Sequence, residues 1–178
     1  MGDATLTVYA DLMAGLTPTR QRHSVEVGRK VASRAVQWID PALRADVISA
    51  ALLHDIGYAH PNTGMHAIDG AAFLRRHGFR DLVCHLVAHH SCSHIEAAVR
   101  GLPESVYEPY SISEARPELH RLITWADMTT GPTGETVTVE ERLAEIESRY
   151  GEGDPVTEFI ARARAELLAA GQSPSGSM

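Results

Sequence analysis

Apolar residues recur every three or four positions along most of the chain, with Pro, Gly or Asn between successive stretches. Residues 3–15 place Leu6, Tyr9, Ala10 and Met13 at helical spacing, predicting a short helix. Thr17-Pro18 then supplies an N-cap followed by proline at the first helical position. The helix it opens should run to about Ile39, with His23, Val27, Val31, Ala35 and Trp38 as its inward stripe. Asp40-Pro41 repeats the start signal. In the next helix Val47, Ala51 and His54 form one line and Ile48, Leu52 and Asp55 the neighbouring line, so His54 and Asp55 face one centre. Gly57 is expected to end this segment by taking φ > 0. Residues 58–64 read as a loop. A helix from about Met65 to His77-Gly78 carries His66 in its first turn, and Gly70 would let another helix approach closely. Over 79–90 the spacing of Val83, Leu86, Val87 and His90 favours His90 over His89 as the inward residue and puts His85 outward.

A short helix is expected over 94–99. Residues 102–113 are the least regular stretch and a candidate lid or substrate loop, in which Tyr107 and Tyr110 either stack on a base or simply pack. Pro117 starts a helix whose inward face holds Leu119, Ile123, Ala126 and Asp127. Thr138 to Glu141 fits a capping box, and Asp154-Pro155 opens the last helix. No repeat and no strand series is present. The expected fold class is all-α: a single compact helical domain over 1–170, followed by a disordered tail over 171–178.

The 178 residues suffice for one domain with a real core, and 44% apolar with 22% charged is ordinary for a globular chain. A net charge of -7 argues against a nucleic-acid polymer as partner, though not against a nucleotide in a local pocket. No run approaches the roughly 20 apolar residues of a membrane span, so no membrane partner is expected. No signal peptide is read, and Cys84 and Cys92 form neither a CxxC motif nor a disulfide framework. The expected setting is cytoplasmic and reducing.

Ten histidines are many for this length. His54-Asp55 closes an apolar stretch, where a carboxylate is costly unless paired or metal-bound. His23, His66, the pair His89-His90 and Asp127 offer further ligands, and imidazole with carboxylate and no thiolate suits Fe, Mn or Zn. Each member also has a plainer reading. Asp127 could cap a turn through Thr129 or Thr130, and His89 could touch substrate rather than metal. Asp69, three residues after His66, could orient the free ring nitrogen of His66 or stand exposed. Arg20, Arg22, Arg75 and Arg76 lie near these ligands in sequence and could bind a phosphate, but arginine on a helix surface is usually a solvated face, which is the reading preferred for each. His85 and His94 read as surface residues, and His60 and His77 as turn neighbours.

The motifs Arg22-His23-Ser24, Leu52-Leu53-His54-Asp55-Ile56-Gly57, His66-Ala67-Ile68-Asp69-Gly70-Ala71, Ala88-His89-His90-Ser91 and Ala126-Asp127 follow in order. Over about residues 20–130 the chain resembles the HD superfamily of metal-dependent phosphohydrolases. The resemblance implies that His23, His54, Asp55 and Asp127 bind one metal. His66 and His90 match the extra histidines of two-metal members, a subgroup that includes diadenosine-tetraphosphate hydrolases and cyclic-dinucleotide phosphodiesterases. It further implies two divalent ions (Fe, Mn or similar) with Asp55, the candidate catalytic residue, bridging them. A metal-activated bridging hydroxide would then cleave a small phosphorylated substrate, a phosphate ester or anhydride, with a small nucleotide as the leading candidate. Tyr58 stands where many relatives carry lysine, which removes a phosphate-contacting cation, and the residues after Asp127 match none of the better-known members. The alternative implied by the same ligand order is a mixed-valent di-iron oxygenase acting on a phosphonate or polyol; a non-catalytic metal-binding sensor is third. The sequence leaves oligomeric state open.

Overall fold

A computed structural model describes residues 9–113 and 116–172. Residues 9–13 are helical; the rest of the helix expected from residue 3, and the tail beyond residue 172, lie outside the described residues. Helix α1 (Pro18–Trp38) begins where the Thr17-Pro18 pattern predicts, with the Thr17 hydroxyl accepting from the Arg20 amide. His23, Val27, Val31 and Ala35 form its buried stripe. The second start signal acts later than predicted. The Asp40 carboxylate accepts from the Ala42 amide and holds a turn, so that α2 (Arg44–Leu53) begins three residues further on. Then come α3 (His66–Arg76), α4 (Asp81–Ala88), α5 (Ser93–Val99) and α6 (Pro117–Met128). Helix α7 (Val139–Arg149) opens on the predicted capping box. Helix α8 (Pro155–Gly171) is capped by Asp154 and runs through the first residue of the expected tail. Three 3₁₀ segments, Ile56–Ala59, His90–Cys92 and Glu104–Tyr110, join helices.

Among the described residues there is no strand, only an isolated bridge between Thr130 and Thr136. The fold class is all-α. The main core gathers Val27, Val31, Val47, Leu53, Ile56, Leu74, Leu86 and Ile123 from α1 to α6. Each such side chain contributes about 1.5–3 kcal/mol on burial. A smaller core of Met128, Val139, Leu143, Ile160, Ala163 and Leu167 ties α7 and α8 to the end of α6. Among the described residues no helix is long and apolar enough to cross a membrane.

Two expectations on the outer side of α4 are corrected. Residues 104–110 are not a free lid. Tyr107 and Tyr110 are buried, Arg75 donates to the Pro109 carbonyl at 2.5 Å, and the Tyr107 hydroxyl donates to Ser93 at 3.2 Å. Pro109 is tolerated because 3₁₀ winding asks less of the backbone than a full α-helix. This segment and α6 cover the face of α4 that periodicity left to solvent, and so His85 is buried. Its Nδ1 donates to the Tyr110 carbonyl at 2.6 Å, and its Nε2 lies 3.0 Å from His120 Nε2. His89 stacks beside it, with ring centroids 4.5 Å from His85 and 4.7 Å from Tyr107.

Burial, reinforced by the neighbouring imidazoles, drives His89 and His120 down to about 4 each. The unfolded chain, with histidines near 6.5, therefore binds protons that the folded chain refuses. Stability from these groups is complete above about 6.5 and is lost as pH falls toward 4. The unfolding free energy from urea titration is expected to drop between pH 7 and pH 5, by about 1 kcal/mol per group after allowance for partial exposure. His120→Gln should shrink that drop; an undiminished drop would locate the acid sensitivity elsewhere.

Candidate metal centre

Five helical regions deliver six side chains to one place. His23 comes from α1, His54 and Asp55 follow the last turn of α2, and His66 opens α3. His90 follows α4, and Asp127 lies in the last turn of α6. His23 Nε2 is 3.1 Å from Asp127 Oδ1. His54 Nε2 lies 3.6 Å from Asp55 Oδ1 and 3.7 Å from Asp127 Oδ1. His66 Nε2 lies 3.7 Å from Asp55 Oδ1 and 3.2 Å from His90 Nε2. The donor atoms thus fall into two triplets, His23-His54-Asp127 and Asp55-His66-His90, each with its atoms within 4.8 Å of one another. The contact between His54 and Asp55 joins them.

The histidines are held in one tautomer. Nδ1 of His23, His54 and His90 faces the carbonyls of Gly131, Ala51 and Val87 at 3.1, 2.8 and 2.7 Å. A carbonyl only accepts, so in each neutral ring Nδ1 carries the proton and Nε2 turns a lone pair inward. His54 Nε2 is buried without any hydrogen-bond partner. An orphan lone pair among two carboxylates and three further imidazoles fits a divalent cation, and the carbonyls supply the outer contacts such ligands need.

Electrostatics favour ionised carboxylates and neutral rings at His54 and His66, with His23 the exception. Burial pushes the Asp55 and Asp127 carboxyls up, but their surroundings outweigh it and hold both well below the usual carboxylate range. For Asp55 the charges of His54 and Arg20 do this; for Asp127, the His23 hydrogen bond and the charge of His54. Burial lowers His54, and with the nearby His90 it drives His66 down to about 3. Burial also works against the charged form of His23, but the Asp127 hydrogen bond prevails and raises it. Ionised carboxylates and unprotonated imidazoles are the forms that bind metal.

The backbone explains how these groups come so close. Gly57 does not take φ > 0; the helix ends at Leu53 and the chain passes through Asp55 (φ -93°, ψ 3°) into the 3₁₀ turn. Glycine is required there by proximity: a Cβ on Gly57 would lie 1.9 Å from the His66 carbonyl oxygen and 2.6 Å from the Gly70 amide nitrogen. Gly70 is the matching gap on α3, as predicted, except that its closest neighbour is this turn rather than another helix. At the far side Ser91 and Cys92 take left-handed φ values of 47° and 59°, uncommon outside glycine. This places the Ser91 hydroxyl on Asp127 Oδ2 at 2.5 Å. Neither the strain nor the bond has a signature in the local sequence.

Other expectations change. Arg20 is not a solvated face: its Nη1 donates to Asp55 Oδ2 at 2.5 Å, and its guanidinium lies 3.5 Å from the centre of the Tyr58 ring. Tyr58 in turn stacks on His66 at 4.3 Å. A cation, Arg20 from the first turn of α1, thus lies against the Tyr58 ring. Asp69 neither orients His66 nor is exposed. It accepts from the Asn62 and Thr63 amides and the Thr63 hydroxyl at 2.8–3.1 Å, closing the loop before α3, whose amides would otherwise lack acceptors. His89 points away from the centre, into the cluster with His85 and His120.

Comparison with known proteins agrees with this architecture. The HD domain family model matches residues 20–131, from α1 to just beyond α6. A protein of Picrophilus torridus named tRNA (cytidine(56)-2'-O)-methyltransferase is 41% identical over 96 residues, 52% of this chain and 28% of that protein. One of the same name from Thermoplasma volcanium is 42% identical over 71 residues, 38% of this chain and 21% of that protein. The chain spans about a quarter of the length of these curated relatives. No solved structure matches it.

Gly57→Ala is expected to cost about 3 kcal/mol, the upper end for overpacking, because the obstructing atoms are backbone. Gly64→Ala, at φ +81° with open space around it, should cost about 1–2 kcal/mol. Urea unfolding of the two variants checks this, and equal costs would contradict the close approach.

Proposed function

The chain belongs to the HD domain family, and from that premise we propose that it is a metal-dependent phosphohydrolase acting on a small phosphorylated substrate. In this reading His23, His54 and Asp127 hold one divalent ion, His66 and His90 hold a second, and Asp55 reaches both. The buried, unpartnered Nε2 of His54 is the observation that carries it: among the described residues no polar group satisfies that lone pair. A quarter-length likeness to tRNA methyltransferases brings a shared segment, and methyl transfer is not carried over with it.

Two bound cations would supply an activated water and neutralise charge on a phosphoryl group. The protein's own part is to present that group. A cleft opens over Asp55, His66, His90 and Asp127, with a cavity of about 90 Å³. That is room for a phosphoryl group, well below the 300 Å³ at the low end of sites enclosing a whole drug-sized ligand. The remainder of the substrate, a nucleoside in the reading we favour, would sit at the mouth beside Tyr150. Arg20, already on Asp55, is placed to contact a phosphoryl oxygen and to stabilise charge as it builds. Tyr58, between Arg20 and His66, positions both.

Metal analysis of the purified chain should find about two ions per molecule, falling to near none in Asp55→Ala and to about one in His66→Ala. Hydrolysis of p-nitrophenyl phosphate with manganese under nitrogen should proceed, and in both variants fall on the order of a hundredfold or more. Unchanged metal content in Asp55→Ala would refute its reach to both ions. Turnover that needs iron and consumes oxygen would replace hydrolysis with oxygenation.

A further inference from the structure

The cleft is completed by residues beyond the family match. Helix α7 brings Arg142 and, at its end, Arg149 to the cleft, and both line the same cavity as Arg20, Asp55 and Asp127. Arg142 is an unusual helix-surface arginine. It is 8% exposed, and its Nε is buried with no hydrogen-bond partner. Its Nη1 meets Glu145 at 2.5 Å, but the other oxygen of Glu145 is taken by Arg149 Nε at 2.9 Å. Two guanidinium groups therefore share one carboxylate. Glu96, which also lines the cleft, is held by Arg100 at 2.6 Å. Among the described residues no second carboxylate forms an ion pair with Arg142 or Arg149; the charge of Arg142 also helps hold Asp127 at the centre ionised.

A spacing of three or four residues between Arg and Glu is, by itself, an ordinary solvated helix pair. The Arg29–Glu26 and Arg162–Glu158 pairs are of that kind, with arginine side chains 73% and 56% exposed. The Arg142 side chain is 9% exposed and faces the cleft instead. Burying a guanidinium with a donor unused and half a counterion is costly unless an acceptor arrives from outside. The rigid fork of arginine matches the paired oxygens of a phosphate or carboxylate.

Resting on the metal-centre reading above, we propose that Arg142 and Arg149 form a second anion subsite, so that the substrate carries two acidic groups. One lies at the metal centre within reach of Arg20, and the other, a phosphate or a carboxylate, lies against α7. This narrows the substrate class from any phosphate monoester to compounds such as a bisphosphate, a nucleoside polyphosphate or a phosphorylated acid. It also gives the residues after Asp127 a task that the family pattern does not contain: they select the substrate.

Calorimetric titration of the manganese-loaded full chain tests this with three non-hydrolysable probes: methylphosphonate, phosphonoacetate and methylenebisphosphonate. At least one doubly acidic probe should bind tenfold or more tighter than methylphosphonate. Tighter binding of the bisphosphonate assigns a phosphate to the subsite, and tighter binding of phosphonoacetate a carboxylate. Arg149→Gln, at a half-exposed position that tolerates change, should abolish the preference. Arg142→Lys, which keeps the charge but loses the fork, should weaken it. Equal affinity for all three probes, or a preference that survives Arg149→Gln, overturns the proposal. Metal analysis before and after titration separates the two readings. A chain that binds no metal but keeps the two-anion preference loses the metal centre and retains the subsite.

Discussion

The structure turns on the burial of Asp55 and Asp127. Two ionised carboxylates in an apolar interior are costly to desolvate, and the cost is offset only by what surrounds them. Three imidazoles, one guanidinium and one hydroxyl do so here, contributed by α1, the end of α2, α3 and the turn after α4. The compensation is incomplete in one respect: His54 Nε2 is buried without a hydrogen-bond partner. A divalent cation there would satisfy that lone pair and would couple folding to ligand binding at this point.

Precision at the centre comes from positions that carry no chemistry. Gly57 and Gly70 let backbone meet backbone, which sets the spacing between Asp55 and His66. Ser91 and Cys92 accept left-handed conformations so that His90 can enter from the end of α4 while Ser91 reaches Asp127. Strain of about 1–3 kcal/mol per such residue persists only where packing over-determines it. Here the packing of α6 against the 3₁₀ turn over His90–Cys92 supplies that constraint.

The last two helices have a different status. They hold their own small core and reach the centre only through the cleft they help to line. The centre is thus built by α1 to α4 and α6, and the cleft beside it is lined in part by α7 and α8. A division of this kind lets one metal arrangement serve different substrates through changes outside it.

Local sequence sufficed for the helical class, most helix boundaries and the inward position of five of the six residues that meet at the centre. His23, His54, Asp55, His90 and Asp127 each occupy an inward position of an apolar 3.6-residue repeat, and capping chemistry marks helix starts within a few residues. What depends on other segments was not legible in that way. Periodicity assigned His85 to solvent because the segment covering it, residues 104–110, is distant in the chain. Arg20 looked like a surface residue because Asp55 and Tyr58 lie more than thirty positions away. Asp69 was drawn to loop amides rather than to the histidine beside it in sequence. A repeat of apolar residues says which face turns inward, since burial is a property of the segment itself. Which groups meet on that face is decided by the packing of segments that share no local sequence, and only the tertiary structure contains it.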